Sequence, residues 1–170
     1  MSINLFPAHT SETAPEAARP AMIKTAAEFG AVPTAVARLA TSPELLNGFL
    51  AASSAFEHSS LDRVAQEVVI VIVAVRNGCR VCIGIHSARL RRLGRGDLIT
   101  SLRQQGALDD PALEAVRLLT VRLLDTTGDV PDQQVQEFLA AGYTQRNALE
   151  IVFGIGAYTM STFANRLVRA

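Results

Sequence analysis

The spacing of apolar residues predicts α-helices along most of the chain. After Ser42, a good N-cap, and Pro43, a good first helical residue, apolar side chains recur three and four positions apart as far as Phe56. Comparable patterns, most of them bounded by Pro, Gly, Ser, Thr or Asp, predict further helices. They cover residues 15–29, 33–40, 98–104, 111–126 and 131–140, and a long final helix follows Thr144.

The segment from Val68 to Val75 is apolar at almost every position, and its β-branched residues favour a strand. A strand needs a partner, however, and no other part of the chain has a strand pattern. We therefore predict a buried helix that is capped by Asp62 or Ser60 and ends at Gly78. A second helix follows from about Cys79 to Leu93. The expected fold class is all-α, a compact helical bundle.

Length and composition are those of one domain. The chain has 170 residues, of which 49% are hydrophobic, so it can bury a core without disulfide staples. We expect residues 1–13 to form an irregular N-terminal arm and residues 14–170 to form a single all-helical domain, because no repeat or long linker divides them. In the final helix, Gly154 and Gly156 are predicted to mark close helix contacts.

Two stretches are apolar on nearly every helical face, which favours self-association. The run from Val68 to Val75 and the region from Ile151 to Ile155 present more apolar surface than one small bundle is expected to bury. We therefore predict a homo-oligomer.

The charge pattern argues against nucleic-acid binding. Sixteen basic and sixteen acidic residues give a net charge of zero, without the basic footprint of a nucleic-acid binder. Between Arg76 and Arg103 there are nevertheless seven arginines and one acid, Asp97. This run is either a solvated helix face or a positive field that favours a thiolate or an acidic partner.

No feature of the sequence predicts export or membrane insertion. The first twenty residues lack the basic and apolar regions of a secretory signal, and the longest apolar run is too short to span a bilayer. We therefore expect a cytoplasmic protein without a membrane partner. In that compartment a CxxC pair is more typical of catalysis or metal binding than of a structural disulfide.

The chemistry of the sequence is concentrated between Glu67 and His86. Cys79, Cys82 and His86 are spaced three and four residues apart, which places them on one face of a helix. If the two helices form a hairpin at Gly78, Glu67 and His86 lie at heights that differ by only about 4 to 5 Å, so their side chains can touch. The helix N-terminus near Cys79 favours a lowered thiol pKa.

Each of these residues also has a purely structural interpretation. The cysteines could be core residues, Glu67 the polar edge of an amphipathic helix and His86 a buried histidine with a hydrogen-bond partner. Two cysteines and a histidine could bind zinc, but no fourth ligand is evident, and we predict no metal site. A thioredoxin fold is excluded because the βαβ pattern is missing. His9 and His58 lie in poorly patterned segments and receive no role.

The arrangement of a glutamate, eleven residues, CxxC, three residues and a histidine resembles the signature of the carboxymuconolactone decarboxylase superfamily, in particular its alkylhydroperoxidase D-like branch. The segments APEAARPA, VPTAVARLATSPELL and ALEIVFGIGAYTMSTFANRL resemble the same group. The resemblance therefore extends over nearly the whole chain.

The resemblance implies an oligomeric all-α enzyme, a thiol-dependent peroxidase or disulfide oxidoreductase that needs no bound cofactor. It implies that Cys82 attacks a hydroperoxide, that Cys79 resolves the product, and that Glu67 and His86 relay protons. A lipoyl or thioredoxin-like dithiol is the implied reductant. Where the best-known alkylhydroperoxidases have a histidine before the second cysteine, this chain has Val81, so the implied relay is shorter.

Two other functions stay open. One is a lyase or isomerase of the carboxymuconolactone decarboxylase type that acts on a small lactone, with the cysteines as bystanders, although such decarboxylases generally lack the CxxC pair. The other is a non-catalytic helical interaction module.

Overall fold

Nine α-helices make up most of residues 5–170, the part of the chain that the computed structural model describes, and this part contains no strand. About 70% of it is helical, which confirms the all-α class. A short 3-10 turn, Glu16–Ala18, precedes the first helix. The helices are α1 Arg19–Phe29, α2 Thr34–Leu39, α3 Pro43–Glu57, α4 Arg63–Arg76, α5 Arg80–Arg92, α6 Leu98–Arg103, α7 Pro111–Thr126, α8 Asp132–Ala140 and α9 Gln145–Leu167.

Local capping sets most of these boundaries. The side chains of Ser42, Asp62, Asp110 and Thr144 each accept hydrogen bonds from backbone N–H groups in the first turn that follows. The predicted start at Pro15 was wrong by four residues. The α-helix begins only at Arg19, because Pro20 has no N–H group and is tolerated best in a first helical turn.

Helix α4 forms the centre of the core. Every residue from Ala65 to Ala74 is buried, and the helix packs against α5, α6, α7 and α9. The β-branched run is therefore helical because tertiary burial outweighs its strand propensity. The same packing removes part of the argument for self-association, since four helices of one chain already cover the run from Val68 to Val75. No helix within residues 5–170 combines the length and apolar character needed to cross a membrane.

The N-terminal segment lies against α2. The backbone N–H of His9 donates to the carbonyl of Ala37 at 3.0 Å, and Phe6 packs against a second apolar cluster that includes Met22 and Leu46. The first four residues of the expected arm lie outside the described part of the chain. The division at residue 13 stays a prediction.

Only one of the two glycines singled out in α9 marks a close helix contact. A Cβ on Gly154 would lie 2.6 Å from ring atoms of Phe56, which is fully buried on α3. The prediction for Gly156 was wrong, because a Cβ there would meet nothing within 4 Å. Because Gly156 follows Gly154 by two residues, it lies on the opposite, exposed side of the helix.

We expect Gly154→Ala to destabilise the fold. The added methyl group overlaps the Phe56 ring, whose movement is restricted because it packs edge-on against Tyr158 with ring centroids 6.0 Å apart. Overpacking of this kind costs about 1–3 kcal/mol, and thermal unfolding should shift downwards accordingly. Gly48→Ala is the matched control in α3, where a methyl group meets nothing within 4 Å and the melting temperature should stay level or rise. Equal melting temperatures for the two variants would contradict the contact.

Candidate active site

A tight turn at Gly78 joins α4 to α5 and lies next to the two cysteines of the site. Gly78 has φ +65°, and the Arg166 guanidinium lies 3.5 Å from the position a Cβ would occupy there. The same guanidinium donates to the carbonyl of Asn77 at 2.7 Å, and the Asn77 amide donates to the Thr162 hydroxyl at 2.9 Å. The positive φ favours glycine, whereas a Cβ at 3.5 Å from the guanidinium would be in ordinary van der Waals contact. Helix α9 therefore fixes the turn that orients α5.

The two cysteines lie at the start of α5. Cys79 is the N-cap residue, and its sulfur accepts the backbone N–H of Cys82 at 3.4 Å. The two residues form a disulfide with their Cα atoms 5.3 Å apart. Cys79 is 1% exposed and Cys82 is 5% exposed, in a small cluster with Ala74. The pair is thus a buried disulfide at a helix N-terminus, where backbone N–H groups would favour a thiolate after reduction.

Glu67 and His86 form a buried pair across the hairpin. Nδ1 of His86 lies 2.7 Å from Oε2 of Glu67, and both residues are less than 10% exposed. The contact expected from the helix rise is confirmed. Because the carboxylate holds Nδ1, the Nε2 atom remains the position for proton exchange with a further group. His86 follows Cys82 by one helical turn, so base and sulfur share a face.

The second oxygen of Glu67 faces a cation. Nη1 of Arg89 lies 3.7 Å from Oε1 of Glu67 and 2.8 Å from Oε1 of Glu57. Burial alone would lower the pKa of Arg89. The hydrogen bond to Glu57 and the charges of both glutamates nevertheless raise this pKa above its ordinary value. A permanent cation therefore compensates the buried carboxylate, which would otherwise be costly to keep charged.

Tyr158 forms a wall beside the histidine. Its ring packs edge-on against His86, with centroids 5.3 Å apart and planes at 88°. Its hydroxyl lies 3.0 Å from the Ser53 hydroxyl. Burial raises the pKa of Tyr158 to about 12, so the phenol stays protonated at neutral pH. Tyr158 therefore restricts the imidazole rather than acting as a base.

Asn165 reaches the sulfur of Cys82 from α9. Its Nδ2 donates to Sγ at 3.3 Å and lies 3.5 Å from the Ser161 hydroxyl, while its Oδ1 is buried without a hydrogen-bond partner. Sequence reasoning missed Asn165 and Tyr158. A usable signal existed, because Tyr158, Ser161 and Asn165 recur at helical spacing directly after the apolar segment 151–157.

The arginine run is divided between the two interpretations. Arg89 belongs to the buried ion-pair network. At the surface, Arg76 pairs with Asp125. Arg95 pairs with Asp97 and Asp110. Arg80, Arg91 and Arg92 are exposed. The run is therefore a solvated surface in part, with Arg80 beside the cysteines as the exposed cation nearest them in sequence.

The described part of the chain offers no metal centre, and one cleft of the fold lies away from the cysteines. Within residues 5–170, no group of three or more His, Cys, Asp or Glu side chains is placed to hold a metal ion. A cleft of about 200 Å³ lies between α7 and α8, and its lining, which includes Leu119 and Phe138, shares no residue with the site. The two cysteines are themselves at most 5% exposed.

A family comparison points to the same segment. Residues 43–98 match the model of the Carboxymuconolactone decarboxylase family, a range that contains Glu67, Cys79, Cys82 and His86. The sequence matches none of the curated proteins with which it was compared.

Several solved structures have a fold similar to that of this chain over most of their length. The alkylhydroperoxidase AhpD core of an uncharacterized peroxidase-related protein from Ralstonia eutropha JMP134 has a TM-score of 0.84 and 19% identity, over 98% of this chain and 90% of that one. An uncharacterized peroxidase-related protein from Silicibacter sp. TM1040 has a TM-score of 0.79 and 19% identity, over 97% and 88%. A protein of unknown function from Agrobacterium tumefaciens has a TM-score of 0.61 and 20% identity, over 77% and 90%. The resemblance deduced from the glutamate, CxxC and histidine motif is therefore confirmed, since residues 43–98 match the model of the Carboxymuconolactone decarboxylase family and the chain has a fold similar to that of the alkylhydroperoxidase AhpD core.

Proposed function

We propose that this protein is a thiol-dependent peroxidase that reduces hydroperoxides through Cys82 and Cys79. The observation that carries the proposal is the buried hydrogen bond between Glu67 and His86, one helical turn from Cys82 of the Cys79–Cys82 disulfide. A base that is held by a carboxylate and lies beside a thiol is the usual arrangement for activating a sulfur nucleophile. The similarity to peroxidase-related structures supports the same chemistry.

The reaction begins from the dithiol. Cys82 transfers its proton to His86, and Glu67 stabilises the resulting imidazolium. The thiolate attacks the outer oxygen of the hydroperoxide, so that an S–O bond forms and the O–O bond breaks. The alkoxide takes the proton from His86 and leaves as an alcohol. The Cys82 sulfur, oxidised by two electrons, is now a sulfenic acid.

Cys79 completes the cycle within the chain. Its sulfur attacks the Cys82 sulfur, an S–S bond forms, and the hydroxide leaves as water with the proton of the Cys79 thiol. An external dithiol then reduces the disulfide by thiol exchange. Because Cys79 and Cys82 are at most 5% exposed, a slender dithiol such as a lipoyl arm fits the access better than a flat protein surface does. The exposed Arg80 favours an acidic carrier.

The relay contains a single histidine. Val81 occupies the position before Cys82, and His58 bonds the carbonyl of Ser54 in its own helix rather than a site residue. All proton transfer to and from the sulfur therefore depends on His86 and on Glu67 behind it.

A thiol count tests the function. The reduced protein should lose both free thiols with one equivalent of a small hydroperoxide, and its mass should fall by two hydrogen atoms as the disulfide forms. Unchanged thiols with the peroxide still present would refute a peroxidase. The double variant Cys79→Ser/Cys82→Ser is the control, since turnover of a lactone by that variant would instead support the lyase alternative.

We also propose a homo-oligomer that buries an apolar stripe on α9. Phe163, Leu167 and Leu149 are 60%, 67% and 71% exposed, and Val152 and Phe153 are nearly half exposed on the same helix. Monomers seldom leave such a contiguous apolar surface open to water. Sedimentation equilibrium at micromolar concentration should give a multiple of the chain mass of 18.2 kDa.

A pair of variants locates that interface. Phe163→Lys should weaken the assembly, because a buried ammonium group without a partner is costly. Phe29→Lys is the matched control, since Phe29 is 57% exposed at the end of α1 and lies outside the stripe. A wild-type protein that sediments as a monomer, or equal dissociation of both variants, would contradict the proposal.

A further inference from the structure

We propose that Asn165 is a further catalytic residue of this site, with Nδ2 holding the Cys82 sulfur and Oδ1 accepting the hydroxyl of the bound hydroperoxide. The inference rests on the proposed peroxidase function and assigns to Asn165 the binding of the reacting atoms.

The contact with sulfur is the first support. Nδ2 of Asn165 lies 3.3 Å from Sγ of Cys82, and the two residues are 8% and 5% exposed. The sulfur of a disulfide is a weak acceptor, whereas a thiolate is a charged one, and a hydrogen bond to a charged group is about twice as strong as a neutral one. The existing contact therefore strengthens when the disulfide is reduced, which stabilises the nucleophile.

The unpaired oxygen is the second support. Oδ1 of Asn165 is buried without a hydrogen-bond partner, a condition that few buried polar groups in folded proteins show. It can accept an O–H group, and a hydroperoxide offers one on the oxygen that Cys82 attacks. The attack leaves this hydroxyl on the sulfur, so the same acceptor can hold it in the hydroperoxide and in the sulfenic acid. Oδ1 then releases it when the hydroxide departs as water.

The position of Asn165 relative to the sulfur is fixed by its own helix. The next residue, Arg166, donates to the carbonyl of Asn77, and Thr162, one turn earlier, accepts the Asn77 amide. Both contacts hold the turn that precedes Cys79. The amide and the thiol are therefore supported by one rigid junction between α9 and the hairpin, which is the pre-organisation that transition-state stabilisation requires.

The test measures the Cys82 thiolate separately from peroxidase activity. In a Cys79→Ser background, which leaves a single thiol, the rate of alkylation by iodoacetamide is followed against pH. The pH midpoint is the readout, because intrinsic nucleophilicity rises with basicity and partly masks a change in rate. Asn165→Leu removes donor and acceptor while keeping the branched shape of the side chain, and it should raise the midpoint by about one unit, a tenfold change in the ionisation equilibrium. Asn165→Asp should raise it further, because a carboxylate opposes a thiolate.

A second measurement isolates Oδ1. At a pH well above all midpoints, where Cys82 is ionised in every variant, Asn165→Leu should react with iodoacetamide at least as fast as the parent, because a more basic thiolate is a better nucleophile. It should react about tenfold more slowly with hydroperoxide, as expected for loss of one positioned hydrogen bond. Thr120→Val is the control, because Thr120 is equally buried but lies on α7, where its hydroxyl donates to the carbonyl of Val116 outside the site, and it should behave like the parent in both assays. If Asn165→Leu fails to fold, Asn165→Ala replaces it.

The outcomes separate this inference from the function on which it rests. If hydroperoxide is consumed and the Asn165 variants match the parent in midpoint and rate, Asn165 has no catalytic part while the peroxidase stands. If the midpoint shifts but the parent protein does not consume hydroperoxide, the contact with sulfur is supported, and the role of Oδ1 in substrate binding is overturned together with the peroxidase.

Discussion

Cys82→Ser should abolish hydroperoxide consumption, whereas Cys79→Ser should react once and stop. Cys82 is one turn from His86 and accepts the hydrogen bond of Asn165, which is why the proposal assigns it the attack. Cys79 lies at the helix start, and the proposal assigns it the resolution of the sulfenic acid. Without it, the sulfenic acid on Cys82 persists and can be trapped by dimedone.

The sequence makes this experiment unambiguous. Tryptic cleavage after Arg80 separates the two cysteines, so mass spectrometry assigns each adduct to residues 77–80 or 81–89. The expected adduct is on the second peptide in Cys79→Ser, and no adduct is expected in Cys82→Ser. A dimedone adduct on Cys79 in the Cys82→Ser variant would reverse the roles, and the helix N-terminus rather than the histidine would then activate the nucleophile.

Glu67→Gln and His86→Ala should each slow the first oxidation of Cys82 by about 10²- to 10⁴-fold, the range for a positioned acid or base. Glu67 lies 2.7 Å from Nδ1 of His86, and in the proposed mechanism His86 accepts the thiol proton while Glu67 stabilises the imidazolium. Stopped-flow measurement of one turnover in the reduced protein gives this rate directly. The deficit of His86→Ala should shrink as the pH rises above the ordinary thiol pKa, because the thiol then ionises without a base.

Glu57→Gln is the matched control for the glutamate. Glu57 also bonds Arg89, at 2.8 Å, and the substitution removes a carboxylate from the same network without touching His86. A small effect of Glu57→Gln beside a large effect of Glu67→Gln would locate the function in the contact with the imidazole. Equal losses in both variants would instead mean that the network as a whole maintains the fold, and wild-type rates in Glu67→Gln would refute the relay.

The proposed assembly bears on the same helix as the site. The buried side of α9 carries Tyr158 and Asn165 toward α4 and α5, while its exposed side carries Phe163 and Leu167. Association along the exposed side would restrain α9 and thereby the amide beside Cys82. Dissociation of the oligomer by Phe163→Lys is therefore expected to lower the oxidation rate of Cys82 as well, while Phe29→Lys leaves it unchanged.

Much of this molecule follows from local rules in its sequence. Caps such as Ser42, Asp62 and Thr144 and the spacing of apolar residues predict where most helices begin and end, because these signals act within one or two turns. The contact between Glu67 and His86 was predictable for a related reason. Two helices joined by a turn at Gly78 have a register that the helical rise determines.

Contacts with distant parts of the chain could not be obtained in this way. Asn165 is separated by 83 positions from the sulfur it contacts, and Arg89 by 32 from Glu57, so their meeting depends on how α3, α5 and α9 pack around α4. The covering of the Val68 to Val75 run and the different surroundings of Gly154 and Gly156 depend on the same packing. Periodicity identifies residues that share a face of a helix, but only the tertiary structure decides which neighbour that face meets, because many side chains of similar volume and polarity could fill the same space.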